Sequence, residues 1–169
     1  MNPIVIMGCA PTWENDLNSF KHICPQFDVL AVGLDCPYSN DIKYLATYHV
    51  EDIPLFYAQR KMRGQNTDYK IISHVNSEIA KSHIDIVFPY EPPSGSSSLL
   101  GALASKHLGY KKIILCGCPL EGLNKKKQPY VVFQKGWMAK FNQVKDSVKS
   151  LSGWTKELLG EPTEEWLKL

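Results

Sequence analysis

Three short apolar runs, each closed by a glycine, set the tightest limit on what this chain can fold into. They are Ile4-Val5-Ile6-Met7-Gly8, the run from Phe27 to Leu34 that ends as a strand near Gly33, and Ile113-Ile114-Leu115-Cys116-Gly117. Unbroken aliphatic and β-branched runs of this length read as strands buried on both faces, because a strand with one wet face alternates polar and apolar residues. Segments with helical spacing lie between them. Trp13, Leu17, Phe20 and Ile23 recur near the helical period, and Cys24-Pro25 closes that stretch. Leu99 to Leu108 forms a second such segment, opened by serines and stopped at Gly109. Strands alternating with helices predict an α/β, Rossmann-like fold with a mostly parallel sheet and helices on both faces.

The remaining elements are less legible. Tyr44 to Val50 reads as a strand or as a helix-to-strand junction, and Glu51 to Tyr69 shows little periodicity. Lys70 to His74 and Ile84 to Phe88 are short strand candidates. Beyond Leu120 the pattern thins into an exposed loop over Glu121 to Gln128. Helices are then expected over Phe141 to Leu151, Trp154 to Leu159 and Glu164 to Leu167, the last capped by Thr163. The expected organisation is one domain over residues 1–169, with 121–169 as a loop and helical extension.

The 169 residues are 44% hydrophobic and 21% charged, with a net charge of +2 and five cysteines. That balance belongs to a globular domain and gives no footprint for nucleic acid. The run Lys125-Lys126-Lys127 reads as a solvated loop before a polyanion contact. The start lacks a basic segment ahead of an apolar one, and no apolar window approaches the length of a membrane span, so a cytoplasmic protein without membrane contact is expected. An odd number of cysteines with no C-x-x-C spacing points to reduced thiols, and neither they nor the five histidines show metal-ligand spacing, so no metal site is expected.

Ligands of open α/β sheets bind above the carboxyl ends of the strands, which directs attention to two loops. In Gly8-Cys9-Ala10-Pro11-Thr12, Gly8 would let a phosphate approach the backbone while Cys9, Ala10 and Thr12 lead into a helix start. The alternative is a plain strand-to-helix turn. In Ser94-Gly95-Ser96-Ser97-Ser98, hydroxyls and free amides at a helix start form an anion nest or an ordinary N-cap. Ser94, Gly95, Ser96 and Ser97 are therefore phosphate-binding candidates, and the Walker pattern is absent. Asp35, straight after the second strand, stands where a ribose hydroxyl is often met, or is a turn carboxylate before Pro37. His49 and Glu121 offer the best acid and base pair, and His49 read alone is equally a hydrogen-bonded structural histidine; His74 is a weaker candidate. Tyr130 and Trp137 would cover a base or sugar, or join the core. Cys116 or Cys118 as a nucleophile is a minor reading.

Ile4 to Thr12, Ser94 to Ser98 and Leu108 to Gly117 together resemble two groups, the bacterial lipooligosaccharide sialyltransferases and the 6-hydroxymethylpterin pyrophosphokinase-like proteins. The chain as a whole, particularly Ser152 to Trp166, also resembles small phage-encoded proteins of unassigned activity. The first two resemblances imply a Rossmann-like fold with a nucleotide beside a glycine-containing first loop and a serine/glycine helix start. The chain departs from the sialyltransferase pattern in having Cys9 where an asparagine is usual, and its last histidine is His107, inside a helix. The expected function is a nucleotide-binding protein acting as a nucleotide-sugar-dependent transferase. Alternatives are a nucleotide-sequestering protein without turnover and a phosphate-ester or glycosidic-bond hydrolase. Beyond a nucleotide or sugar nucleotide as a small-molecule ligand, no cofactor is implied.

Overall fold

The computed structural model describes residues 2–33, 36–74, 84–88, 94–123, 127 and 129–169. In chain order they form β1 (Ile4–Met7), α1 (Trp13–Ile23), β2 (Asp28–Val32), β3 (Tyr44–Ala46), α2 (Ile53–Met62), β4 (Lys70–Ser73) and β5 (Ile86–Val87). There follow α3 (Ser97–His107), β6 (Ile113–Cys116), α4 (Val131–Val144), β7 (Val148–Ser150), α5 (Gly153–Leu159) and α6 (Glu164–Lys168). The seven strands make one sheet in the order β5-β4-β3-β2-β1-β6-β7, and every pairing is parallel. Ile4 stands beside Asp28 on one side and Ile113 on the other, so the three glycine-closed runs are the sheet's neighbouring central strands.

Alternate residues of these strands feed two cores. Ile4, Ile6, Leu30, Val32, Ile113 and Leu115 pack with Leu99 to Ala104 of α3 and with Trp137 and Val144 of α4. Val5, Met7, Val29, Ala31, Ile114 and Cys116 pack with Leu17 and Phe20 of α1 and Phe56 of α2. Both faces are covered by helices, which is why the strands read as unbroken apolar runs.

Two parts of the chain differ from the sequence expectation. Residues 53–62 are helical although their periodicity is faint. The buried stripe is Ile53, Phe56 and Arg60, and a guanidinium in its third place hides the pattern. Arg60 is 2% exposed and donates to the carbonyls of Asn66, Tyr38 and Asn40 and to Asn66 Oδ1, binding the loop before β3's start to the one after α2.

The expected helix over Phe141 to Leu151 divides into the end of α4 and strand β7. Only Val148 of β7 is apolar and buried. Ser150 enters the interior satisfied by Thr155 Oγ1 at 2.7 Å, and its amide donates to Gly160 O along the sheet's outer edge. Residues 129–169 thus supply a strand and a core-packing helix as well as the terminal helices expected of them, and residues 124–126 and 128 of the expected loop, with Lys125 and Lys126, lie outside the described residues. At the last helix, Thr163 caps α6 by accepting from the Trp166 amide.

Candidate functional site

The chain runs outward from β1 to β5 and is then carried back by α3 to β6, on the other side of β1. The strand order reverses between β1 and β6, and the carboxyl ends of strands flanking such a reversal open a crevice. A cleft of about 620 Å3 lies there. Its walls are Gly8 to Pro11 after β1, Val32 and Gly33 of the β2 end, His49 beyond β3 and Gly95 to Ser98 at the start of α3. Gly117 to Glu121 and Leu123 after β6, with Tyr130 at the cap of α4 and Phe133 in its first turn, complete them. Of the sequence candidates, Gly8, Cys9, Ala10, His49, Gly95, Ser96, Ser97, Glu121 and Tyr130 share this cleft. Thr12 and Ser94 are not among its lining residues, and Asp35 lies outside the described residues.

At the start of α3, Ser96 is the N-cap. Its Oγ accepts from the Leu99 amide and contacts Ser98 Oγ at 3.0 Å, while its carbonyl takes the Leu100 amide. The Ser97 and Ser98 amides therefore have no acceptor within the helix. No acidic residue occupies the first turn, so the positive end of the helix dipole is not offset there. Lys106 and His107 stand in the last turn, where cations complement the opposite pole. Gly95 is not in the left-handed backbone region. A Cβ built on it would meet only Phe133 Cε1, at 3.8 Å, so the position is open toward the cleft.

Ser94, immediately before, is 8% exposed and faces α4. Tyr48 donates its hydroxyl to the Ser94 carbonyl at 2.8 Å, fixing the loop from the β3 side, whereas Ser94 Oγ is buried without a hydrogen-bond partner.

The loop after β1 packs closely against the loop after β6. A Cβ on Gly8 would lie 2.3 Å from Gly117 O and 2.6 Å from Cys118 Sγ, so the approach of the β6 loop by itself requires glycine there. The Gly8 and Ala10 amides are spent on Cys116 O and Gly117 O. The start of α1 already holds an internal anion: Asp16, 6% exposed, accepts from the Gly117 amide at 2.8 Å, Ser152 Oγ at 2.7 Å and Thr12 Oγ1 at 3.2 Å. Thr12 is engaged in that junction. The loop serves as a wall of the cleft, opposite the α3 start.

Asp16 escaped the sequence reading. Its signal was an acid four residues after Thr12, in the first turn of a helix that follows a strand.

His49 is held by a turn in which its amide donates to Thr47 Oγ1 at 2.9 Å, directly after β3. Its ring is exposed in the cleft, with Nδ1 at 3.1 Å from Glu51 Oε1. A carboxylate accepting from Nδ1–H leaves Nε2 as the proton acceptor, the arrangement a general base requires. Backbone and His49 hydrogen bonds hold the Glu51 carboxyl below its ordinary range. The carboxylate on His49 is therefore Glu51, two residues away in sequence. Glu121 lines the same cleft, but its carboxyl carbon lies 2.9 Å from where a Cβ on Gly153 would stand, against the beginning of α5.

All five cysteines are free thiols. Cys9 is exposed on the cleft wall, while Cys36, Cys116 and Cys118 are buried. Burial pushes the Cys116 and Cys118 thiols up, which is opposite to the activation a nucleophile needs. Among the described residues, no group of three or more His, Cys, Asp or Glu side chains is placed to hold a metal ion, and no helix is long and apolar enough to cross a membrane.

A second cleft, of about 560 Å3, opens at the amino ends of β2, β3 and β4. There Asn66 is spent on Ile42 and Arg60, and Asp28 on Lys43 and Tyr110. Those groups are already paired, and helix amino termini do not face that edge of a parallel sheet, so the switch-point cleft is the candidate site. Comparison of the chain with protein-family models, with curated proteins and with solved structures found no match.

Proposed function

We propose that this chain binds a nucleotide-type ligand in the β1/β6 crevice and transfers a group from it, as a nucleotide-sugar-dependent transferase would. The observation that carries the reading is the α3 amino terminus: two amides with no acceptor within the helix, a serine cap and no first-turn acid, opening on a cleft at the topological switch point. A phosphate there receives backbone hydrogen bonds and the favourable end of the helix dipole without needing a lysine. The transfer step rests on His49, whose Glu51-bound ring presents a basic nitrogen to the same cleft. In such a step His49 takes the proton of an acceptor hydroxyl as its oxygen attacks the sugar's anomeric carbon. The bond from that carbon to the phosphate oxygen breaks, and the nucleotide leaves with the electron pair.

Titration with nucleotides and sugar nucleotides, combined with assay of free nucleotide release, tests both parts. Gly95→Val places a branched side chain in the cleft at a position free of backbone constraint. Affinity is expected to fall roughly tenfold or more, as one or two charge-assisted hydrogen bonds are lost, with circular dichroism unchanged. His49→Ala is expected to leave affinity intact and lower turnover by roughly 10²- to 10⁴-fold, the usual share of a general base. A well-folded Gly95→Val protein with undiminished affinity removes the site assignment. Tight binding of a sugar nucleotide that is never cleaved by the unmodified protein removes the transfer step and leaves sequestration.

A further inference from the structure

The wall beside the proposed phosphate position is aromatic and is built as one rigid piece. Leu120, at the end of the β6 loop, is held in the left-handed region with φ of 51°, and its carbonyl accepts from Gln134 Nε2 of α4 at 3.0 Å. The loop and the first turns of α4 are thereby joined. Phe133 and Tyr130 sit on that turn with ring centroids 5.8 Å apart and a 53° tilt. Phe133 packs partly against the core and also lines the cleft, and its Cε1 lies 3.8 Å from the Cβ position of Gly95. Leu123, 60% exposed, stands at the cleft mouth and is fixed by its antiparallel bridge to Pro129. An aromatic surface is thus kept partly uncovered one van der Waals contact from the loop that leads into the α3 amides.

We propose that Phe133, with Tyr130 at its edge, is the platform on which a planar heteroaromatic group of the ligand stacks, so that the site takes nucleoside monophosphates in preference to sugar phosphates of equal charge. This rests on the phosphate site proposed above and deepens it. A base has a π-face whatever its identity, and packs on one ring while meeting the second edge-on, the relation that aromatic quadrupoles favour. The glycine at 95 fits this geometry, because any side chain there would lie between the ring and the phosphate.

Calorimetric titration with the four nucleoside monophosphates, ribose 5-phosphate and n-octyl phosphate separates the possibilities. The unmodified protein is expected to bind the nucleoside monophosphates more tightly than ribose 5-phosphate. Phe133→Ala should lower that affinity by about 5- to 150-fold, the loss typical of one base–aromatic stack, and leave ribose 5-phosphate unchanged. Phe133→Leu, which keeps the apolar bulk and so protects folding, should lose the same preference, whereas Phe133→Trp should keep it. Equal affinity for ribose 5-phosphate and nucleoside monophosphates overturns the platform while the phosphate site stands. Octyl phosphate binding as tightly as the nucleoside monophosphates, with Phe133→Leu harmless, replaces the planar group by an aliphatic one. Binding of none of these probes overturns the phosphate site and the platform with it.

Discussion

Asp16 shows how one residue fixes the geometry of two loops. A single buried carboxylate gathers the Gly117 amide, the Ser152 hydroxyl and the Thr12 hydroxyl, and so locks together the β6 loop, the entry to α5 and the start of α1. Removing it strands the buried Gly117 amide and leaves the Thr12 and Ser152 hydroxyls, 3.1 Å apart and part-buried, only each other and water. Asp16→Ala is expected to cost about 2 to 4 kcal/mol, the scale of losing hydrogen bonds to a charged acceptor and leaving their donors unpaired. Asp16→Asn, which keeps the shape and one acceptor oxygen, should cost less. Urea denaturation measures both, and a loss below about 0.5 kcal/mol for Asp16→Ala would show that the junction holds nothing together. The sequence displayed Thr12 and Gly8 as candidate ligand contacts because glycine and threonine after a strand look the same whether they meet a phosphate or a neighbouring loop. The 2.3 Å approach of Gly117 O to the Gly8 Cβ position comes from a loop more than a hundred residues away, which no local pattern displays.

Among the elements, α3 and α4 determine the shape of the cleft, and their contact depends on a glycine. A Cβ on Gly136 would fall 2.2 Å from Ser94 Oγ and 2.7 Å from Ser94 Cβ, so α4 lies directly on the loop that leads to the α3 cap. Alanine in a helix interior ordinarily stabilises by about 1 kcal/mol relative to glycine. Here Gly136→Ala is expected to destabilise instead, and to weaken ligand binding by pushing Ser94 and the α3 start out of place. Combining it with Ser94→Gly should restore most of the loss, and a thermal unfolding series of the two single variants and the double variant reads the coupling. A more stable Gly136→Ala protein would contradict the packing. Helix α3 was legible because alanine, leucine and serine caps agree with one another along its length. Helix α2 was not, because the stripe of Ile53, Phe56 and Arg60 ends in a charge that is buried through carbonyl partners no periodicity reveals. Strand β7 was hidden for a related reason, since Ser150 is interior only by virtue of Thr155, five residues on.

At the scale of the whole molecule, the glycine-closed runs were enough to foretell a parallel sheet covered on both faces, but not the point where its strand order reverses. That reversal depends on α3 crossing back over β1, a long-range choice that short apolar runs do not encode. One consequence of the layout is that Cys36, Cys116 and Cys118 lie in the interior as neutral thiols, with Cys36 pushed up by burial from 9.0 to about 11. The Cys116 and Cys118 thiols and the Tyr110 hydroxyl are raised as well, chiefly by burial. Each such group keeps its proton in the folded protein at a pH where the unfolded chain has released it. Unfolding is then coupled to proton loss, and stability falls as pH rises above the unfolded values, 9.0 for the thiols and 10.0 for the Tyr110 hydroxyl. For Cys36 the decline continues until its folded pKa is passed at about 11, and by pH 10 it amounts to about 1 kcal/mol. Urea midpoints at pH 8 and pH 10 should therefore separate in the unmodified protein. Cys36→Ser, whose hydroxyl does not ionise in this range, should show a smaller separation by about that amount. An identical fall in both proteins would mean that the Cys36 thiol reaches solvent in the folded state, and that the interior around β2 and the loop after it is more open than this packing allows.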